Sequence, residues 1–197
     1  MVVGASGLLG RNICEALADT ADVVQVSRSD SPEKVDISDP ASISELFDRV
    51  GTVDGLICVA GTAPYLPWEN VTDADWANGL ANKLMGQVNL TRIGAPFVRD
   101  GGAIVLTSGL LSEASMPGSS IMSTVNAAVN AFARSAALEI GRGVRVNTVS
   151  PGWVAESMVA MGMDPSPGMP ASDIARIFVG LLGGESNGMT IAAVKGG

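Results

Sequence analysis

Glycine recurs at every third position of Gly4-Ala5-Ser6-Gly7-Leu8-Leu9-Gly10, straight after Val2-Val3 and straight before the helix-forming run Arg11-Asn12-Ile13-Cys14-Glu15-Ala16-Leu17. Glycines in such a turn reach backbone conformations closed to other residues and let a ligand's phosphates approach the main chain. A helix beginning near Leu8 adds unpaired N–H groups and the positive end of its dipole. The chemistry is pyrophosphate binding, with Gly4, Ser6, Gly7, Leu8, Leu9 and Gly10 as contact residues. A glycine turn that holds no ligand has the same spacing, so the motif needs the rest of the chain behind it. The chain contains no histidine, which excludes serine–histidine triads, imidazole acid–base chemistry and histidine metal sites.

The elements that would position this turn alternate along the whole chain. Residues 22–26 read as a second strand ending in Ser27-Arg28-Ser29, and 33–37 as a short third. Ser38-Asp39-Pro40 is a helix start for 41–50, with Ile43, Leu46 and Phe47 on one face. Residues 54–61 are a continuously apolar fourth strand of the kind buried on both sides. After a loop over 62–71, Thr72-Asp73-Ala74-Asp75 caps a long helix whose apolar stripe is Trp76, Leu80, Leu84 and Val88. A fifth strand (102–107), a long helix (119–140), a sixth strand (144–149), a helix (171–182) and a last strand (189–194) complete the pattern. The alternation predicts one α/β domain over 1–197, a three-layer, doubly wound parallel sheet of about seven strands. Only three residues precede Gly4, few for a central strand, and the sequence leaves open whether the native chain begins upstream of Met1.

Composition narrows the class. With 47% hydrophobic residues, 16% charged and a net charge of −8, the chain can build a sizeable core and offers no basic footprint for nucleic acid or an anionic membrane. No apolar run has the length of a membrane span. Cys14 and Cys58 lie inside a helix and a strand pattern; buried reduced thiols are expected there, which fits the cytoplasm.

Several landmarks resemble the short-chain dehydrogenase/reductase family. They are the glycine turn, the strand ending in Ala60-Gly61, Ala127-Ala128-Val129-Asn130-Ala131-Phe132, and Val144-Arg145-Val146-Asn147-Thr148-Val149-Ser150-Pro151-Gly152-Trp153-Val154. The terminal Lys195-Gly196-Gly197 looks like the family's closing Asp-Gly-Gly. The resemblance runs through nearly the whole chain in order and implies a Rossmann fold that binds a nicotinamide cofactor. The glycine spacing is nearer to the extended and atypical members, and the chain is short where the family keeps its substrate lid, between Val154 and Ala171.

The family's active site is a serine, a tyrosine thirteen residues later and a lysine four beyond that, with an asparagine on the preceding helix. Carried over, the serine position is Gly109, the tyrosine position Met122 and the lysine position Asn126. A gap-free match puts the asparagine position at Lys83, and a one-residue slip puts it at Asn82. This implies an atypical branch with the cofactor loop and without the usual site. In one reading the protein is an oxidoreductase with relocated groups: Lys83, Asn126 and Ser108 are the candidate catalytic residues, Ser112 and the sole tyrosine, Tyr65, lesser ones. In the other the fold binds the nucleotide as a sensor, scaffold or regulatory partner. A third, a nucleotide-sugar epimerase or dehydratase, fits the glycine spacing and not the chain length.

The remaining cofactor contacts follow from the resemblance and from charge. Ser27, Arg28 and Ser29 end the second strand where a carboxylate would select NAD(H); a guanidinium there favours NADP(H). Asp36 and Ile37 border the adenine; Ala60, Gly61, Thr62, Thr107 and Ser108 line the strand ends; Pro151, Gly152, Trp153 and Val154 meet the carboxamide. Trp153, Met158, Met161 and Met163 are candidates for an apolar pocket wall around an unidentified small carbonyl or alcohol substrate. The two long helices correspond to those that pair across the family's dimer, so a homodimer or homotetramer is expected.

Overall fold

A computed structural model describes residues 1–196; Gly197, and with it the end of the expected closing motif, lies outside the described residues. Seven parallel strands form one sheet in the order β3-β2-β1-β4-β5-β6-β7: β1 (Val2–Val3), β2 (Gln25–Ser27), β3 (Glu33–Lys34), β4 (Val53–Cys58), β5 (Val98–Thr107), β6 (Arg145–Pro151) and β7 (Thr190–Ala193). Order reverses between β1 and β4, and the crevice at their carboxyl ends is where such sheets bind ligands.

Strand residues alternate between two cores, as the pleat requires. Val3, Leu56, Cys58, Ile104 and Leu106 face one. It is closed by helices α2 (Pro40–Val50), α4 (Gly86–Gly94) and α5 (Ser120–Glu139). Val2, Ile57 and Val105 face the other, under α1 (Leu8–Leu17) and α7 (Ala171–Gly183). The start signals act as read: Asp39 caps α2 by accepting from the Ala41 N–H at 2.9 Å, and Thr72 and Asp75 form a reciprocal capping box on α3 (Asp73–Gly79).

Some boundaries differ from the sequence expectation. The second, third and fourth strands are shorter at the edge and crevice, because β2 begins only at Gln25, β3 ends at Lys34 and β4 at Cys58. β5 instead starts four residues earlier, at Val98. A short helix not foreseen, α6 (Ala155–Ala160), follows β6. The expected long helix after Thr72 is broken: between α3 and α4, Leu80–Met85 form a π-helical turn. The extra residue rotates the buried face, so Gly86, Gln87, Leu90 and Gly94 turn inward while Val88 is only half-buried.

Candidate active site

The glycine turn is built by close approach. Gly4 has φ of +95°, and a Cβ there would sit 2.9 Å from the Ala60 nitrogen on β4's outgoing loop. A Cβ on Gly10 would run into the Gly4 carbonyl; Gly10 is buried and acts by letting α1 press against the turn. No side chain caps α1. Its first intrahelical bond is from the Arg11 N–H to the Gly7 carbonyl at 2.9 Å, which leaves the N–H groups of Leu8, Leu9 and Gly10 without intrahelical acceptors.

A cleft of about 250 Å³ opens in front of this turn. It brings together the predicted Gly4, Ser6, Gly7, Ser27, Arg28, Asp36, Ile37, Ala60, Gly61 and Thr62, with Asn82 added from the π-turn. Leu8, Leu9, Gly10, Ser29, Thr107, Ser108 and 151–154 lie outside its lining. Asp36 accepts from the Ser38 hydroxyl at 2.6 Å and the Ser38 N–H at 2.9 Å; these bonds hold its carboxyl below the ordinary range. Ile37 is buried, its side chain packed toward Gly61 and Gly86. The Ser27 hydroxyl accepts from the Asp30 N–H and the Ser29 hydroxyl donates to the Asp30 carboxylate, both within 2.9 Å. Asp30 was not singled out by the sequence; it engages both hydroxyls and leaves Arg28 as the open donor of that corner. Glycines without Cβ clearance, an uncapped helix start and a polar corner fit a dinucleotide.

The π-turn carries both alternatives for the asparagine position, Asn82 and Lys83, to the strand ends. An α-helix that gains one residue can present two successive side chains to the same edge, and here both face the strand ends. Asn82 Oδ1 accepts from the Thr62 N–H at 2.8 Å, while Lys83 Nζ donates to the Ser108 carbonyl at 3.3 Å. Gly61, φ +104°, permits the approach: its Cβ would lie 3.1 Å from Lys83 Cα. Lys83 is half-buried, and loss of hydration pushes its ammonium down to about 8, with the Cys58 thiol on β4 opposing the shift. Cys58 itself is buried and pushed up to about 11.

Beneath this pair sits a fully buried glutamine that sequence reading missed. Gln87 donates to the Thr107 carbonyl and accepts from the Thr107 N–H, both at 2.9 Å. The Thr107 hydroxyl donates to the Cys58 carbonyl at 2.6 Å. One helical turn after Lys83, Gln87 therefore fixes α4 to the end of β5. Asn89 and Thr91 are buried on the same helix, so no lone polar residue on an apolar face marked Gln87 in the sequence.

The other candidates are placed as follows. Ser108 is buried, with its hydroxyl turned to the Val149 carbonyl at 3.4 Å, so its carbonyl rather than its hydroxyl meets Lys83. Ser112 accepts from Asn130 Nδ2 at 3.1 Å. Tyr65 donates to the Pro117 carbonyl at 2.8 Å and joins two surface loops. Gly152 gives its N–H to the Ala193 carbonyl at 3.0 Å. Met158 is buried in the core, whereas Trp153, Met161 and Met163 are exposed. Gly109 abuts Asn126, and Met122 lies one turn before Asn126 on α5.

A family model described as Enoyl-(Acyl carrier protein) reductase matches residues 8–193. The chain is 34% identical to the protein lin1944 from Listeria innocua, whose crystal structure superposes with a TM-score of 0.93 over 98% of this chain and 97% of that one. A small-chain dehydrogenase crystallised in complex with NADPH is 28% identical, with a TM-score of 0.86 over 98% and 94% of the two chains. The Hydroxynaphthalene reductase-like protein Arp2 of Metarhizium brunneum is 30% identical over 185 residues, 87% of this chain and 69% of the relative. Fold, turn and relatives agree: the chain belongs to the short-chain dehydrogenase/reductase family.

Proposed function

We propose that the protein is an NADP(H)-dependent oxidoreductase of this family's atypical branch, which reduces a small carbonyl compound with Lys83 as its proton donor. The carrying observation is Lys83 Nζ at the end of β5, where Gly109, Met122 and Asn126 provide no hydroxyl, phenol or second ammonium. The glycine turn and the α1 N-terminus would hold the pyrophosphate, Arg28 the 2′-phosphate, and the loop at Ala60-Gly61-Thr62 the adjoining ribose. When bound, the cofactor supplies hydride to the carbonyl carbon. Lys83 gives a proton from Nζ to the carbonyl oxygen as that oxygen gains charge, and the neutral amine regains one from water. A cation in a site poor in water stabilises a developing oxyanion more strongly than in bulk. With an ammonium near 8, Lys83 is mostly charged at neutral pH and close enough to release its proton.

A homodimer belongs to the same reading. Val88, Thr91 and Ala95 on and after α4 and Ala131, Phe132 and Ala136 on α5 line a shallow groove, and the small side chains of Thr91, Ala95, Ala131 and Ala136 allow a second copy's helices to approach closely. Free Cys14 and Cys58 suit a reducing compartment such as the cytoplasm. The test is titration with NADPH and NADH, then reduction of a panel of aldehydes, ketones and quinones by wild type and Lys83→Met. Turnover lost with Lys83 supports the reading; tight NADPH binding with no turnover of any compound favours a nucleotide-binding protein without hydride chemistry.

A further inference from the structure

Arg11 stands where helix electrostatics disfavour it. It follows directly on the first turn of α1, which carries no acidic residue, and a cation near a helix N-terminus is opposed by the positive end of the dipole. No carboxylate lies within ion-pair distance of its guanidinium among the described residues. The side chain is exposed, so burial does not hold it there either.

What holds it is the glycine turn. Side chains of a helix lean toward its N-terminus, and Arg11 Nη1 reaches back to donate to the Ser6 carbonyl at 2.5 Å. The same peptide unit is fixed at its other end, where the Gly7 N–H donates to the Gly4 carbonyl at 3.0 Å. The Ser6-Gly7 peptide is therefore pinned twice, its oxygen toward Arg11 and its N–H toward Gly4. Without these bonds the glycine at 7 would let that peptide turn over and aim its carbonyl at an arriving anion.

The surroundings say what Arg11 faces. Ser6 and Gly7 line the cleft, and the N–H groups of Leu8, Leu9 and Gly10 open α1 beside them without intrahelical acceptors. The Ser6 contact uses one of the five N–H donors of a guanidinium. We propose that Arg11 holds the cofactor's pyrophosphate: Nη1 keeps the Ser6-Gly7 peptide turned, and the other guanidinium donors meet a diphosphate oxygen. The turn then carries a side-chain cation as well as backbone N–H groups, and charge-assisted bonds of this kind are the stronger ones. Arg28 and Arg11 divide the cofactor between them, the first taking the 2′-phosphate and the second the diphosphate that NADP(H) and NAD(H) share. The inference rests on the nucleotide-binding part of the reading above and requires no hydride transfer.

The test is calorimetric titration of wild type, Arg11→Leu and Arg11→Lys with NADPH and NADH at low and at high salt, with melting of each nucleotide-free protein. Arg11→Leu is expected to weaken both nucleotides by the same factor, about tenfold, the worth of one charged hydrogen bond. Its affinities should also fall less steeply with salt than those of wild type, because a cation facing the phosphates is gone. Arg11→Lys, which keeps the charge and loses the fork, should recover part of the affinity and of the salt dependence. The nucleotide-free Arg11→Leu protein should melt no lower than wild type, since an unpaired cation has left the positive end of α1. The proposal is overturned if Arg11→Leu leaves NADPH affinity within about twofold of wild type, or if it changes the preference between NADPH and NADH. It is equally overturned if the lost affinity comes with a lower melting temperature of the nucleotide-free protein, or if Arg11→Lys binds as weakly as Arg11→Leu. Wild type that binds neither nucleotide would end the nucleotide-binding reading and this proposal together, whereas tight binding indifferent to Arg11 would end this proposal alone. Arg11-dependent binding without turnover of any carbonyl compound would end the reductase reading and leave this one standing.

Discussion

Lys83 Nζ donates to the carbonyl oxygen of Ser108 at 3.3 Å, so a π-turn on one side of the sheet is tied to the last peptides of β5. The bond sets an ammonium at the carboxyl edge, within the layer where the fold binds its ligands. Everything else at the site can be ordered by its relation to that contact.

Gln87 keeps the contact in register. Gln87→Leu removes two buried hydrogen bonds and leaves the Thr107 N–H and C=O unpaired, which should cost about 2–4 kcal/mol. Urea unfolding measures it. The same variant should lose turnover beyond its loss of stability, because α4 is no longer fixed to β5. A midpoint equal to wild type would show that the clamp carries no weight.

Cofactor selection should reside in Arg28. Arg28→Asp exchanges the open guanidinium of the cleft for a carboxylate that repels a 2′-phosphate and suits a 2′-hydroxyl. NADPH affinity should fall at least about tenfold more than NADH affinity, read by nucleotide fluorescence. Equal losses would place selectivity elsewhere.

The glycine turn is predicted to tolerate no Cβ at its first position. Gly4→Ala forces a left-handed φ of +95° on alanine and a 2.9 Å approach to the Ala60 nitrogen. Either strain displaces the loop over 60–62, so both nucleotides should bind weakly while the fold remains cooperative. Unchanged NADPH binding by calorimetry would contradict the cradle as described.

Association should depend on the groove between α4 and α5. Ala131→Arg places a charge among Val88, Phe132 and Ala136, so sizing at micromolar concentration should move from dimer or larger to monomer. A wild type that is already monomeric would refute the interface.

The fold was legible in the sequence because its signals are local. Thr72-Asp73-Ala74-Asp75 and Asp39-Pro40 name helix starts by side chains that cap their own turn, and the 54–61 run names a strand buried on both sides. Gly4, Ser6 and Gly7 of the glycine turn lie on the cleft, where their spacing alone drew attention. The π-turn was not legible: an inserted residue leaves the composition unchanged and shifts only the phase, so the stripe Trp76, Leu80, Leu84 and Val88 continued on paper past the point where the helix turns over. Gln87 with Thr107 and Gly109 with Asn126 are contacts across the fold, 20 and 17 residues apart in the chain, which no spacing rule reports. The sequence could place Ser108 at the site but not show that its hydroxyl turns to β6 and its carbonyl to Lys83.

Lys83 also links pH to stability. Its folded ammonium lies near 8, below the ordinary 10.5, so between those values the unfolded chain binds the extra proton and stability rises with pH. Against Lys83→Met, wild type should therefore gain stability from about pH 8 upward to about pH 10.5, and show a constant difference below pH 8. A flat difference through that window would mean the ammonium is fully hydrated.

The most direct measurement is kcat against pH for NADPH-dependent reduction of the best carbonyl compound, by wild type and by Lys83→Met. As the proton donor, Lys83 must be charged, so wild-type kcat should fall as pH rises through about 8. Lys83→Met should be slower by about 10²-fold or more, the usual contribution of a positioned acid, flat through that range and unchanged in NADPH affinity. Full activity in Lys83→Met, with the same fall near pH 8 as wild type, would contradict the assignment.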